Sequence, residues 1–101
     1  MRILIMLDPT NKRGTKMAYT SLRNFLYADG YERIGTELFM RVATSRKTAE
    51  KHIRRLADYN PGTGTVRVMK LTEKQYEKVW FLTGDQSEQE KTIGRNYCIM
   101  L

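Results

Sequence analysis

The chain has 101 residues, 41% of them hydrophobic and 10% aromatic, enough for one modest core and against both a second domain and wholesale disorder. The 18 Lys and Arg against 11 Asp and Glu give a net charge of +7, and a small protein that basic is expected to meet a polyanion. The single cysteine, Cys98, argues against an intrachain disulfide, no Cys/His cluster has zinc spacing, and no apolar run reaches membrane length. With no signal peptide at the start, the expected compartment is the cytoplasm.

The run Ile3-Leu4-Ile5-Met6-Leu7, closed by Asp8 and Pro9, reads as a buried strand. Pro9 has no backbone N–H and pushes Asp8 toward an extended conformation, so the strand is predicted to stop there. The Asp8 carboxylate then stands at the carboxyl end of a central strand, where α/β sheets hold ligands. Two readings stand side by side: a metal or phosphate site, and a plain turn cap.

Thr10 or Asn11 is placed to cap a helix over Arg13 to Ala28, in which Met17, Ala18, Leu22, Phe25 and Leu26 recur at helical spacing. Gly30 ends it in a left-handed conformation. From Tyr31 to Val42 the apolar residues alternate, which predicts one strand, or two short ones broken near Gly35-Thr36. Thr44 or Ser45 opens a second helix with Ala49, Ile53, Leu56 and Ala57 inward, ended by Asn60-Pro61-Gly62.

Thr65 to Leu71 is strand again, and Thr72-Glu73-Lys74-Gln75 has the capping-box pattern of a short helical turn. Val79 to Thr83 reads as a further strand, Asp85 to Asn96 as a polar linker, and Tyr97 to Leu101 as a terminal strand. The order predicts an α+β, ferredoxin-like open sheet with both helices on one face, spanning residues 1–84. The terminal strand either joins its own sheet edge or is exchanged in a homodimer.

The second helix carries the sharpest binding signal. Lys47, Lys51 and Arg55 follow each other at i+4, with Arg46 and Arg54 beside them, forming one basic stripe. Like charges so spaced repel, whereas counterion release from a bound nucleic acid more than offsets that. Lys12, Arg13, Lys16 and Arg23 add positive charge around the first helix. No base-reading signature is present, so contact with the phosphate backbone is expected. His52 falls within the stripe, as a phosphate contact or a bystander. Tyr19, Tyr27 and Tyr31 are either core or stacking residues. A lone carboxylate is a poor Mg²⁺ site, but two Asp8 copies facing across a dimer axis would serve.

Met1-Arg-Ile-Leu-Ile-Met-Leu-Asp8, Leu22-Arg-Asn-Phe-Leu26, Gly30-Tyr-Glu-Arg-Ile34, Leu38-Phe39 and Val66-Arg-Val68 resemble the CRISPR-associated protein 2 family. Val68 to Tyr76 and Phe81-Leu-Thr-Gly84 look particularly like members that accompany type II systems. The resemblance implies a ferredoxin-like homodimer with exchanged C-terminal strands. It also implies a role in spacer acquisition, in which the dimer bridges integrase dimers and supports duplex DNA. A Mg²⁺-dependent endonuclease activity on RNA or DNA, centred on Asp8, is implied as well, and the family's basic and aromatic positions after the first helix match Arg33 and Phe39. The chain departs from the family pattern where Pro9 follows Asp8 directly and where Gly35-Thr36-Glu37 replaces Gln-x-Ser. The arginines often found early in the first helix do not align cleanly with Arg13 or Arg23. The rival expectations are a stand-alone toxin-type ribonuclease of the same fold and a small metabolite-binding regulatory module, which lacks its usual glycine-rich loops here.

Overall fold

Alternation within the first strand sets the architecture. In the computed structural model, which describes residues 1–84 and Gln86, β1 (Arg2–Asp8) buries Ile3, Ile5 and Leu7. Successive strand side chains point to opposite faces, so Arg2, Leu4, Met6 and Asp8 share the other side. β1 lies between β3 (Leu38–Val42) and β4 (Thr65–Leu71), antiparallel to both, with Ile5 opposite Phe39 and Val68. β2 (Glu32–Gly35) flanks β3, giving the order β2-β3-β1-β4. With α1 (Thr15–Ala28) after β1 and α2 (Arg46–Arg55) after β3, this is the expected α+β ferredoxin-like arrangement. Tyr19, Leu22 and Leu26 of α1 and Ala49 of α2 join Ile3, Ile5 and Phe39 in one core, so both helices serve the same face.

The helix starts differ from expectation. α1 begins behind Gly14, left-handed at φ 85°, without a side-chain cap, so neither Thr10 nor Asn11 caps it. Its inward face is Thr15, Tyr19, Leu22 and Leu26, whereas Met17 is 81% exposed. Tyr19 is held inside because its hydroxyl donates to the Thr63 carbonyl at 2.6 Å. α2 opens as expected: the Ser45 hydroxyl accepts the Thr48 N–H at 3.1 Å. Its buried residues are Ala49 and His52, while Ala57 is exposed beyond the helix in a 3-10 turn, Leu56–Tyr59.

Residues 31–42 form two strands. Thr36 and Glu37 make the turn, and the ladder shifts register between Arg33 and Gly35. A short α3 (Glu73–Tyr76) has the capping box of Thr72 and Gln75. It docks on the face away from α1 and α2: the Arg2 guanidinium, 2% exposed, meets Glu73 at 3.0 Å and lies 3.7 Å from the Tyr76 ring centroid.

The strand expected at Val79 to Thr83 is absent. Val79 closes a turn onto the Tyr76 carbonyl, Trp80 and Phe81 are irregular, and 82–84 form bends, with Trp80 and Leu82 largely exposed. Strand propensity yields a strand only where the segment pairs with a sheet edge, and this one joins neither β2 nor β4, the two edge strands of the sheet. The linker, Cys98 and the terminal strand Tyr97 to Leu101 lie outside the described residues, Gln86 apart. No helix among the described residues is long and apolar enough to cross a membrane.

Tyr31 is buried, and its hydroxyl has no partner among the described residues. Burial, then the negative charge of Asp29, outweigh Arg41 and push its phenol up to about 12 from 10.0. Between those values the unfolded chain has lost the proton that the folded chain keeps, so stability falls as pH rises through that window. Tyr31→Phe is expected to match or exceed the parent Tm at neutral pH, since it removes a buried unpaired hydroxyl. By urea titration it should gain up to roughly 2–3 kcal/mol over the parent at the alkaline end.

Candidate nucleic-acid interface and acidic site

Pro9 ends β1 and leaves Asp8 exposed at its carboxyl end, opposite Thr65 in the ladder. Two loops close on this end. Thr63 meets the Thr15 hydroxyl at 3.0 Å and accepts from Tyr19 through its carbonyl. Next to it Gly64 has φ +69°, and a Cβ there would stand 2.5 Å from both the Asp8 carbonyl oxygen and the Tyr19 hydroxyl. Only glycine lets the chain pass. From the other side, the Glu37 carbonyl accepts the Leu7 N–H at 2.9 Å, bringing the β2–β3 turn beside the end of β1.

The charges here are arranged around Tyr19. Burial and then the carboxylate of Asp8 hold its phenol above the ordinary value, Arg23 acts against them, and Glu37 adds to the rise. A phenol so held stays protonated at neutral pH and donates to Thr63, so it braces the site and is not a base. Beside it a cleft of 310 Å³ is lined by Pro9, Thr10, Lys12, Lys16, Tyr19 and Arg23, among others. Lys12, Arg13 and Lys16 are exposed around it.

Asp8 is not part of any group of three or more His, Cys, Asp or Glu able to hold a metal among the described residues. Glu37, the added acid, is spoken for: its carboxylate takes Arg23 at 2.9 Å and Arg33 at 3.6 Å. At this end of β1 the described residues of a single chain therefore offer Mg²⁺ one unpaired carboxylate, which is a poor site by itself.

The stripe on α2 is present in space. Arg46, Lys47, Lys51, Arg54 and Arg55 are all exposed, and Glu50 turns aside to Lys70 at 3.6 Å. Among the described residues only Arg55 of the five pairs with an acid, Asp29 at 2.9 Å. His52 does not belong to the stripe. It is buried on the opposite side of the helix, with Nδ1 2.9 Å from the other Asp29 oxygen. The Asp29 carbonyl in turn accepts from Arg41 of β3.

Arg33 and Phe39 are brought together, but unequally. Arg33 is exposed and donates from Nε and Nη2 to the Thr36 carbonyl. Phe39 is fully buried, edge-on to Tyr27 at 5.4 Å, with the Arg33 guanidinium 6.0 Å from its ring centroid. Direct stacking on a base is thus closed to Phe39 in the single chain, where the ring lies beneath Arg33. Tyr19 and Tyr31 are likewise core residues, and Tyr27 is half exposed.

Sequence reasoning left Arg23 outside the site and did not single out Gly64. The trace of Arg23 was only a cation on the helix after Asp8. That of Gly64 was a second glycine in a turn that needed one.

No protein-family model matches the chain. Similarity to curated proteins nevertheless runs nearly end to end. The chain is 37% identical over 95 residues to the CRISPR-associated endoribonuclease Cas2 of Acidovorax ebreus (strain TPSY), covering 93% of each. Against the protein of the same name from Ligilactobacillus salivarius (strain UCC118) it is 29% identical over 101 residues, covering 99% of this chain and 100% of the relative. The corresponding protein of Lacticaseibacillus rhamnosus is 30% identical over 89 residues, with 87% and 88% covered. Likeness at this level across nearly the whole length means that the chain belongs to the CRISPR-associated Cas2 family.

Proposed function

We propose that this protein works in the cytoplasm as a paired, DNA-binding subunit of CRISPR spacer acquisition, holding duplex DNA while bridging integrase dimers. The observation that carries the reading is the α2 surface, where Arg46, Lys47, Lys51 and Arg54 stand exposed without an acidic partner among the described residues. Cations left free in this way attract phosphates and repel one another, so a polyanion stabilises the surface that displays them. Lys12, Arg13, Lys16 and Arg33 extend the positive field toward Asp8.

Pairing is supported by the second sheet face. Met6 and Met69 lie exposed on it, and Trp80 and Leu82 beyond α3 are each 80% exposed. Apolar surface of that extent asks for a partner, and a second copy is the partner we assign. Asp8 shares this face, so two-fold packing would set two Asp8 carboxylates side by side. Together they would hold Mg²⁺, which when bound supplies a Lewis acid and an activated water for phosphodiester hydrolysis. The relatives are named endoribonucleases. RNA cleavage at Asp8 is the matching proposal for this chain, with duplex DNA the alternative substrate.

Light scattering should give a particle of two chains. A labelled duplex should bind with an affinity that falls steeply with salt, and the tagged protein should retain the integrase subunit. A strict monomer indifferent to DNA and RNA overturns the reading. Asp8→Asn is expected to lower Mg²⁺-dependent cleavage by at least about 100-fold. Undiminished cleavage would remove Asp8 from the chemistry and leave the bridging role standing.

A further inference from the structure

Two guanidinium groups from different elements converge on one carboxylate at the tip of the β2–β3 turn. Arg23 reaches it from α1 and Arg33 from β2, at 2.9 and 3.6 Å, each on a different oxygen of Glu37. The turn itself is pinned, by the Glu37 carbonyl to Leu7 and by Arg33 to the Thr36 carbonyl. Two fixed, convergent arginines are how proteins bind a tetrahedral oxyanion. Here the anion between them is the protein's own.

We propose that Glu37 is an internal occupant of a phosphate site, displaced when a polynucleotide binds. The inference rests on the nucleic-acid-binding role given above and goes beyond it by naming where one backbone phosphate enters and what it must expel. Three observations support it. Both arginines and Glu37 keep a quarter or more of their surface in solvent, so an incoming phosphate can reach them. Arg23 Nε is buried and has no acceptor among the described residues while Glu37 takes only its Nη2, so the internal pairing leaves the guanidinium incompletely satisfied. Lys12 and Lys16 share a cleft with Arg23, which favours a phosphate chain over a lone carboxylate at that spot.

Exposed ion pairs are weak, so displacement is feasible and its effect measurable. Glu37→Gln keeps the shape and removes the competing charge. It should tighten binding of a blunt DNA duplex by roughly 3- to 10-fold for each site engaged. In a background of Arg23→Gln and Arg33→Gln the same change should alter affinity by less than about twofold, because the two cations it competes for are gone. In the unmodified protein, the Nε–Hε NMR signals of Arg23 and Arg33 should move when duplex is added, which keeps the test open should a variant fold poorly. The inference falls if Glu37→Gln binds no tighter, if it tightens binding equally without the two arginines, or if both arginine signals stay still in the complex. Duplex binding by the unmodified protein with no gain in Glu37→Gln removes this inference alone. If neither protein binds any duplex or RNA, the DNA-binding role falls with it.

Discussion

Changing Lys47, Lys51 and Arg54 to glutamate is expected to weaken duplex binding by at least about 1000-fold at low salt and to flatten its salt dependence. Each phosphate contact contributes about 0.9 to the slope of log K against log salt, so losing three should lower it by about 2.7 per chain. All three side chains are exposed and pair with no acid among the described residues, so the fold should tolerate the reversal. Arg55 is left out because its Nη1 is committed to Asp29, and reversing it would set two acids against each other. Anisotropy titrations over a range of salt measure both quantities. Unchanged binding would mean that DNA lies elsewhere on the protein.

The largest stability effect is expected at Glu73. Arg2 is a cation buried in the sheet, and its Nε and Nη2 both donate to the Glu73 carboxylate, at 3.0 and 3.1 Å. Glu73→Gln leaves that guanidinium charged, buried and without a counter-ion. Removing one member of a buried pair costs about 3–5 kcal/mol. Glu73 is 26% exposed, and Arg2 keeps its contact with the Tyr76 ring, so roughly 2–4 kcal/mol is the expected loss in urea unfolding. Arg2→Met with Glu73→Met should recover most of it, because two apolar groups leave no stranded charge. An unaffected single variant would show that Arg2 does not depend on Glu73.

Much of the fold is legible in the residues themselves, because β1, β4 and the capped helices state their periods plainly. β4 has the expected bounds, and both Ser45 and the Thr72–Gln75 pair cap as their chemistry requires. The errors have a common origin. Met17 and Tyr19 lie two residues apart on α1, and helical spacing alone cannot tell which faces in. The Thr63 carbonyl decides it, 44 residues away. His52 was grouped with cations by its neighbours in sequence, yet Asp29, just past the end of α1, claims it. The Val79 to Thr83 run has strand composition but joins neither edge of the sheet. The placement of Asp8 at the end of β1 and the exposure of the α2 cations were legible. The pairing of Glu37 with Arg23 and Arg33 was not, since it depends on how a turn meets a helix.

The junction at Asp29 has a consequence for the proposed capture of a polyanion. One carboxylate ties α2 to the end of α1 through His52 and Arg55, and the same residue's carbonyl ties both to β3 through Arg41. Two contacts from α2 to this one residue, itself held to β3, fix which way the free cations of α2 face before any ligand arrives. Little rotational freedom is then lost at the moment of contact. Encounter should accordingly be governed by long-range attraction, with an association rate that drops as added salt shortens the reach of the field.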